Sequence, residues 1–93
     1  MGGREVSLTT TEFRLLLHLA RRPGERYQRQ EVLRALWEPT PVPKLATLNT
    51  HLSRLRAKLR ELTGGVDLIH MPQGNGVVFE IPPNLHIPEL MID

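Results

Sequence analysis

The sequence predicts a small α+β domain in which three helices are followed by a β-hairpin. Three observations carry that prediction. Residues 45–62, LATLNTHLSRLRAKLREL, place Leu48, Leu52, Leu55, Leu59 and Leu62 at alternating spacings of four and three, the repeat of one apolar stripe on a helix. Two further helical stretches lie upstream, set apart by Pro23-Gly24 and by the proline-rich run Glu38 to Pro43, which a regular helix does not cross. Downstream, the strand-like runs Val66 to Met71 and Val77 to Ile81 flank Asn75-Gly76, a pair that favours a tight primed hairpin turn.

Each element has its own local cause. Glu5-Val6-Ser7-Leu8 alternates polar and apolar and reads as a short strand. Thr9-Thr10-Thr11-Glu12 has the spacing of a capping box: the Thr9 hydroxyl takes the amide three residues on, and Glu12 reaches back. The first helix runs from there to about Arg22 and stops at Pro23-Gly24. Phe13, Leu16, Leu17 and Ala20 form one face and Leu15 and Leu19 another. It is therefore expected to be apolar around most of its girth and the most buried of the three. The second helix spans about Gln28 to Trp37, with Val32, Leu33, Leu36 and Trp37 on its apolar side. Pro39, Pro41 and Pro43 make the following segment a stiff, extended loop. The third helix ends at Gly64-Gly65 and the hairpin at Pro82-Pro83. Strand, helix, helix, loop, helix, hairpin is the order of a winged helix-turn-helix, a three-helix core with a C-terminal β-hairpin wing. It occupies residues 1–83, and residues 84–93 form a tail.

The bulk composition sets limits. A chain of 93 residues is one domain with a small but sufficient core. The net charge of +2 says little; its distribution says more. Lys44, Arg54, Arg56, Lys58 and Arg60 fall in a run with no acid, leaving seven basic residues against ten acids elsewhere. One basic segment on a mildly acidic body is an electrostatic footprint for phosphate; a solvated charged face is the bland alternative. The absence of cysteine removes disulfides and cysteine-based zinc sites. With no apolar run of about 20 residues and no secretory pattern at the amino end, a cytoplasmic protein without a membrane span is expected. His18, His70 and His86 lack helical partners four residues away, so no metal is expected, and no other cofactor is implied. Ser7 and Ser53 sit in no nucleophile-elbow context and the acids are scattered, which makes an enzyme the weakest class.

The third helix has the most to say about function. At about 100° per residue, Thr47, Thr50, Ser53, Arg54 and Ala57 point away from the leucine stripe, with Arg56, Lys58 and Arg60 at its edges or beyond. The helix thus has a leucine face for a core and a small, hydroxyl-bearing, basic face for something else. The major groove of DNA admits one helix, and short side chains let that helix approach base edges closely.

These residues resemble a known family. Leu8-Thr9-Thr10-Thr11-Glu12-Phe13-Arg14-Leu15-Leu16 is similar to the opening of the effector domain of OmpR/PhoB-type response regulators. Arg22-Pro23-Gly24-Glu25, Arg29-Gln30-Glu31-Val32-Leu33 and Leu36-Trp37 resemble the entry to and body of its second helix. His51-Leu52-Ser53-Arg54-Leu55-Arg56-Ala57-Lys58-Leu59 resembles its recognition helix, and Gly74-Asn75-Gly76 its wing. The proline-rich loop and Thr47-Leu48 are also similar to the DNA-binding domain of Streptomyces antibiotic regulatory proteins. The resemblance covers roughly residues 6–81. It implies transcription control in two-component systems, double-stranded DNA as partner, and head-to-tail homodimers on direct repeats. It implies a DNA-facing set of Thr47, Thr50, His51, Ser53, Arg54 and Arg56, with Lys58 beside them and Gln73 on the wing. It also implies that the loop, here Glu38, Thr40, Val42 and Lys44, touches RNA polymerase. The departures are Ala46 where a basic residue is common, Gln73 at the wing arginine, Val77 at the wing tyrosine, Val78 at a position often basic, and Gln28 at the hydroxyl cap of the second helix. They weaken phosphate and minor-groove contacts.

Several residues have two readings. Arg54 is a base reader bidentate to guanine or a solvated arginine. Arg56 and Lys58 meet phosphate or pair internally. His51 bonds a phosphate or packs at the helix edge. Thr47 and Thr50 contact thymine methyls or are simply exposed. Trp37 reads as core. For the whole chain, a sequence-specific transcription regulator stands against a protein-interaction module that has lost DNA binding, since winged helices serve both roles. The tail is expected to cover Leu15 and Leu19, on its own first helix or on that of a partner chain; a disordered end is the alternative.

Overall fold

The computed structural model of the chain describes residues 6–72 and 75–83. The elements are α1 (Thr10–Ala20), β1 (Arg26–Gln28), α2 (Arg29–Trp37), α3 (Leu45–Thr63), β2 (Ile69–His70) and β3 (Gly76–Phe79). The three helices pack about one core and a three-stranded antiparallel sheet of order β1-β3-β2 closes it. This is the expected winged helix-turn-helix, an α+β fold.

The capping box at α1 forms as its spacing predicts. The Glu12 amide donates to the Thr9 hydroxyl at 3.1 Å, and the Thr9 amide donates to the Glu12 carboxylate at 3.0 Å. The buried face of α1 differs from the expected one. It is Glu12, Leu15, Leu16 and Leu19, one turn-spaced stripe, whereas Phe13 and Leu17 are each 48% exposed. The helix is amphipathic, and the leucines that called for cover, Leu15 and Leu19, already lie in the common core with α2, α3 and the sheet. The tail, 84–93, lies outside the described residues.

All of Leu48, Leu52, Leu55 and Leu59 on α3 are buried, while Leu62 is half-buried near the helix end. Burying a leucine contributes ~1.5–3 kcal/mol relative to leaving it exposed, so this stripe is a main source of the domain's stability. The helix stops at Gly64, whose φ of 77° is left-handed. The Gly65 amide then donates to the Arg60 carbonyl at 2.7 Å, closing the last turn. Thr63 completes the reversal: its hydroxyl donates to the Leu59 carbonyl at 2.8 Å and accepts from the Val66 amide at 3.2 Å.

The sheet corrects three expectations. Val6 to Leu8 form no strand; among the described residues no neighbour pairs with them, and alternation without a pairing partner makes no ladder. Instead Arg26-Tyr27-Gln28, too short and polar to show a period of two, pairs with β3 in the register Arg26↔Val78, Tyr27↔Val77 and Gln28↔Gly76. The hairpin is real, with Ile69↔Phe79 and His70↔Val78, but its connection is longer than a two-residue primed turn. Gly76 belongs to β3, and the Asn75 carbonyl accepts from the Arg29 amide at 2.6 Å. A Cβ at Gly76 would meet the Arg26 guanidinium at 2.6 Å, so a larger residue there would displace that flexible side chain.

Candidate nucleic-acid interface

Two side-chain hydrogen bonds brace the three helices against one another. An Arg29 guanidinium nitrogen, at the start of α2, donates to the Asn49 side-chain oxygen on α3 at 3.0 Å. An Arg14 guanidinium nitrogen on α1 donates to the Leu36 carbonyl at 2.7 Å, satisfying a carbonyl at the α2 C-terminus. These bonds tie α3 to α2 and α1 to α2, in addition to the leucine packing.

Thr47, Thr50, Ser53 and Arg54 are all exposed on α3 and share its outward face. The Thr50 hydroxyl donates to the Ala46 carbonyl at 3.1 Å, four residues back. That bond turns the hydroxyl inward and leaves the methyl as the group offered to a ligand. Arg54 has no ion pair among the described residues. His51 is half-buried and its ring lies 6.0 Å from that of Trp37, so it packs at the helix edge. Trp37 itself is partly buried against the core.

The other basic residues of α3 are engaged. Arg56 lies 3.3 Å and Arg60 3.1 Å from the two carboxylate oxygens of Asp67. The Arg56 hydrogen bond holds the Asp67 carboxyl below the ordinary aspartate range; partial burial opposes this, and the charges of Arg56, Arg60 and His70 add to it. Lys58 points the other way. Its Nζ lies 2.6 Å from the buried Glu12 carboxylate and donates to the Ser7 carbonyl at 2.8 Å. For Glu12, burial pushes the carboxyl up, and the bonds from Lys58 and Thr9 outweigh it, so the group titrates below its ordinary range. Lys58 is the counter-ion of a buried acid.

Ser53, Arg56, Ala57 and Arg60 line a shallow hollow of about 270 Å³ on the outer side of α3. Asp67 is the acid beside it that sequence reading passed over. Its signal was present: a Gly64-Gly65 reversal brings the residue three beyond it back along the helix that bears Arg56 and Arg60.

The loop between α2 and α3 is exposed at Glu38, Thr40 and Lys44, and Val42 is 37% exposed. The Thr40 hydroxyl donates to the Trp37 carbonyl, and Lys44 is the N-cap of α3. Gln73 lies outside the described residues. On the wing, Val77 is fully buried and Val78 half-buried. No described helix is long and apolar enough to cross a membrane.

The profile of the family "Transcriptional regulatory protein, C terminal" matches residues 3–79. The chain belongs to this family, the winged-helix DNA-binding domain of OmpR/PhoB-type regulators. It is 38% identical over 81 residues to the transcriptional regulatory protein AfsQ1 of Streptomyces coelicolor, covering 87% of this chain and 36% of that protein. It is 36% identical over 85 residues to the transcriptional regulatory protein SrrA of Staphylococcus aureus, covering 88% of this chain and 34% of that protein. The chain thus spans about a third of the length of these curated relatives. The C-terminal domain of the nisin resistance regulator NsrR, a lantibiotic response regulator, superposes with a TM-score of 0.72 at 32% identity, covering 87% of this chain and 81% of that one. Within this family the domain is the DNA-binding part of a transcription regulator.

Proposed function

We propose that the domain binds duplex DNA sequence-specifically, with α3 in the major groove. The observation that carries this is the outward face of α3. Thr47, Thr50, Ser53 and Arg54 are exposed together, small but for one arginine without an ion pair among the described residues, on a helix whose opposite face is locked into the core. Short side chains allow close approach, the Thr50 methyl suits a thymine, and a guanidinium reads guanine in a bidentate manner. Arg56 and Lys44, at the edge and the N-cap of the helix, serve phosphates. Gln73 is the wing residue for the minor groove. His51 supports Trp37 rather than the ligand, and Lys58 leaves the set because Glu12 requires it.

The same reading assigns Glu38, Thr40, Val42 and Lys44 to RNA polymerase, since an exposed loop beside the reading helix stays accessible when the groove is filled. It carries a cytoplasmic location and pairing on direct repeats with it. The test is a titration with duplex DNA chosen by unbiased selection, at two salt concentrations. Counterion release demands that affinity fall steeply with salt, by ~0.9 logarithmic units per phosphate contact. Binding that ignores salt and sequence overturns the proposal.

A further inference from the structure

We propose that Asp67 is an internal stand-in for a DNA phosphate, and that it sets the affinity of the domain by holding Arg56 and Arg60 until DNA displaces it. The inference rests on the DNA-binding reading above and goes beyond it. Between Lys44 and Arg60 the helix has no acid. The chain nonetheless brings a carboxylate to its flank, because the left-handed Gly64 reverses the backbone. One oxygen of Asp67 faces Arg56 at 3.3 Å and the other faces Arg60 at 3.1 Å, the arrangement that two phosphate oxygens would take. The two arginines are one turn apart and flank a hollow floored by Ser53 and Ala57, side chains small enough to admit a phosphate.

The pairs are built to yield. The Arg56 and Arg60 side chains are 39% and 55% exposed, and ion pairs this open to water are weak. A guanidinium also keeps donors in reserve, having five in all. DNA, with its dense phosphate charge, competes with such a carboxylate. While it is held, the trio presents one net positive charge instead of two, so part of the basic face is cancelled until contact. Lys58, by contrast, faces an acid that is 1% exposed and stays where it is.

The experiment is a double-mutant cycle on the folded chain, read as DNA affinity at low and moderate salt. Asp67→Asn keeps the shape and removes the charge. It is expected to bind about three- to tenfold tighter at low salt, the scale of one exposed charge contact, with a steeper salt slope. In an Arg56→Gln/Arg60→Gln background the same substitution is expected to change nothing, because the groups it releases are gone. Asp67→Glu, which keeps the charge, is expected to bind as the parent does. Tightening that persists in the double-glutamine background would show a general loss of repulsion and overturn the proposal. Asp67→Asn binding as the parent or more weakly would also overturn it, the second result making Asp67 a support for the arginines. If the parent chain shows no salt-dependent DNA binding, the DNA reading falls and this inference with it; parent binding with an inert Asp67→Asn removes the inference alone.

Discussion

The two halves of α3 share one leucine stripe and differ in what they have to offer. The amino-terminal half presents Thr47, Thr50, Ser53 and Arg54 without an ion pair among them. The carboxy-terminal half is richer in charge, with Arg56, Lys58 and Arg60, and each of these already faces an acid of the same chain. Counting cations along a helix therefore overstates the charge available to a ligand. What matters is which carboxylates the fold brings back. Glu12 arrives from α1 and is buried; Asp67 arrives from the turn after α3 and its side chain is a third exposed. The first contact is structural and the second is exchangeable, and the difference follows from solvent exposure alone.

The largest expected effect sharpens the structural side of that contrast. Lys58→Met removes the counter-ion of a carboxylate that is 1% exposed. Leaving a buried acid unpaired costs about 3–5 kcal/mol in fully buried sites. Here Thr9 still donates to Glu12 and the Lys58 end of the pair is a third exposed, so a loss of about 2–3 kcal/mol in urea unfolding is expected. The affinity of the folded fraction for DNA should stay within about twofold, as for a residue outside the interface. The Glu12 titration supplies a matching pH test. Its folded carboxyl titrates below the unfolded one, so the stability it contributes is complete above the ordinary glutamate range. That contribution is lost as pH falls through the lower, folded value. The parent chain should lose stability in that window, and Lys58→Met should lose less. Equal slopes would remove the ion pair from the account.

Arg54 tests the other half. With no ion pair among the described residues it is free to redirect, and Arg54→Ala should lose ~1–3 kcal/mol of DNA binding and relax preference at one base position. Folding should be unaffected, since the side chain is exposed. A uniform loss across all sequences would make Arg54 a phosphate contact. An unchanged affinity would take the amino-terminal half of α3 out of the groove.

The parts of the fold visible in the sequence are those with a local or periodic cause. The leucine stripe of α3, the capping box at Thr9 and the stop at Gly64-Gly65 each depend on residues within one or two turns, and each forms. What was not legible depends on pairing across the chain. Three polar residues, Arg26 to Gln28, become a strand only because β3 lies beside them. Val6 to Leu8 alternate correctly and find no strand partner among the described residues. On α1, where apolar residues fall on more than one face, periodicity could not choose between them. The buried face is the one that carries Glu12, paired with Lys58, with Leu15 and Leu19 inward and Phe13 and Leu17 outward. The outward face of α3 was readable for the same reason as its stripe. The partners of its basic residues were not, because Asp67 and Glu12 reach them from other elements.

The smallest expected effect concerns a charge the chain lacks. Family resemblance puts an arginine at the wing where this chain has Gln73, and the neighbouring strand residues Val77 and Val78 turn their side chains wholly or partly into the protein. The wing therefore brings no cation from these positions to the minor groove. A narrow minor groove concentrates negative potential, and an arginine entering it gains from that potential without reading much sequence. Gln73→Arg should accordingly tighten DNA binding, mainly at low salt, and steepen the salt slope by about the ~0.9 expected of one more phosphate-scale contact. Base preference in the major groove should be unchanged, since α3 is untouched. The comparison of interest is with Asp67→Asn. One variant adds a cation on the wing and the other frees two on α3, so if the two act independently the gains should add. An unaltered affinity in Gln73→Arg would mean that the wing stands clear of the duplex, and that α3 alone, with the cations Asp67 leaves it, holds this domain on DNA.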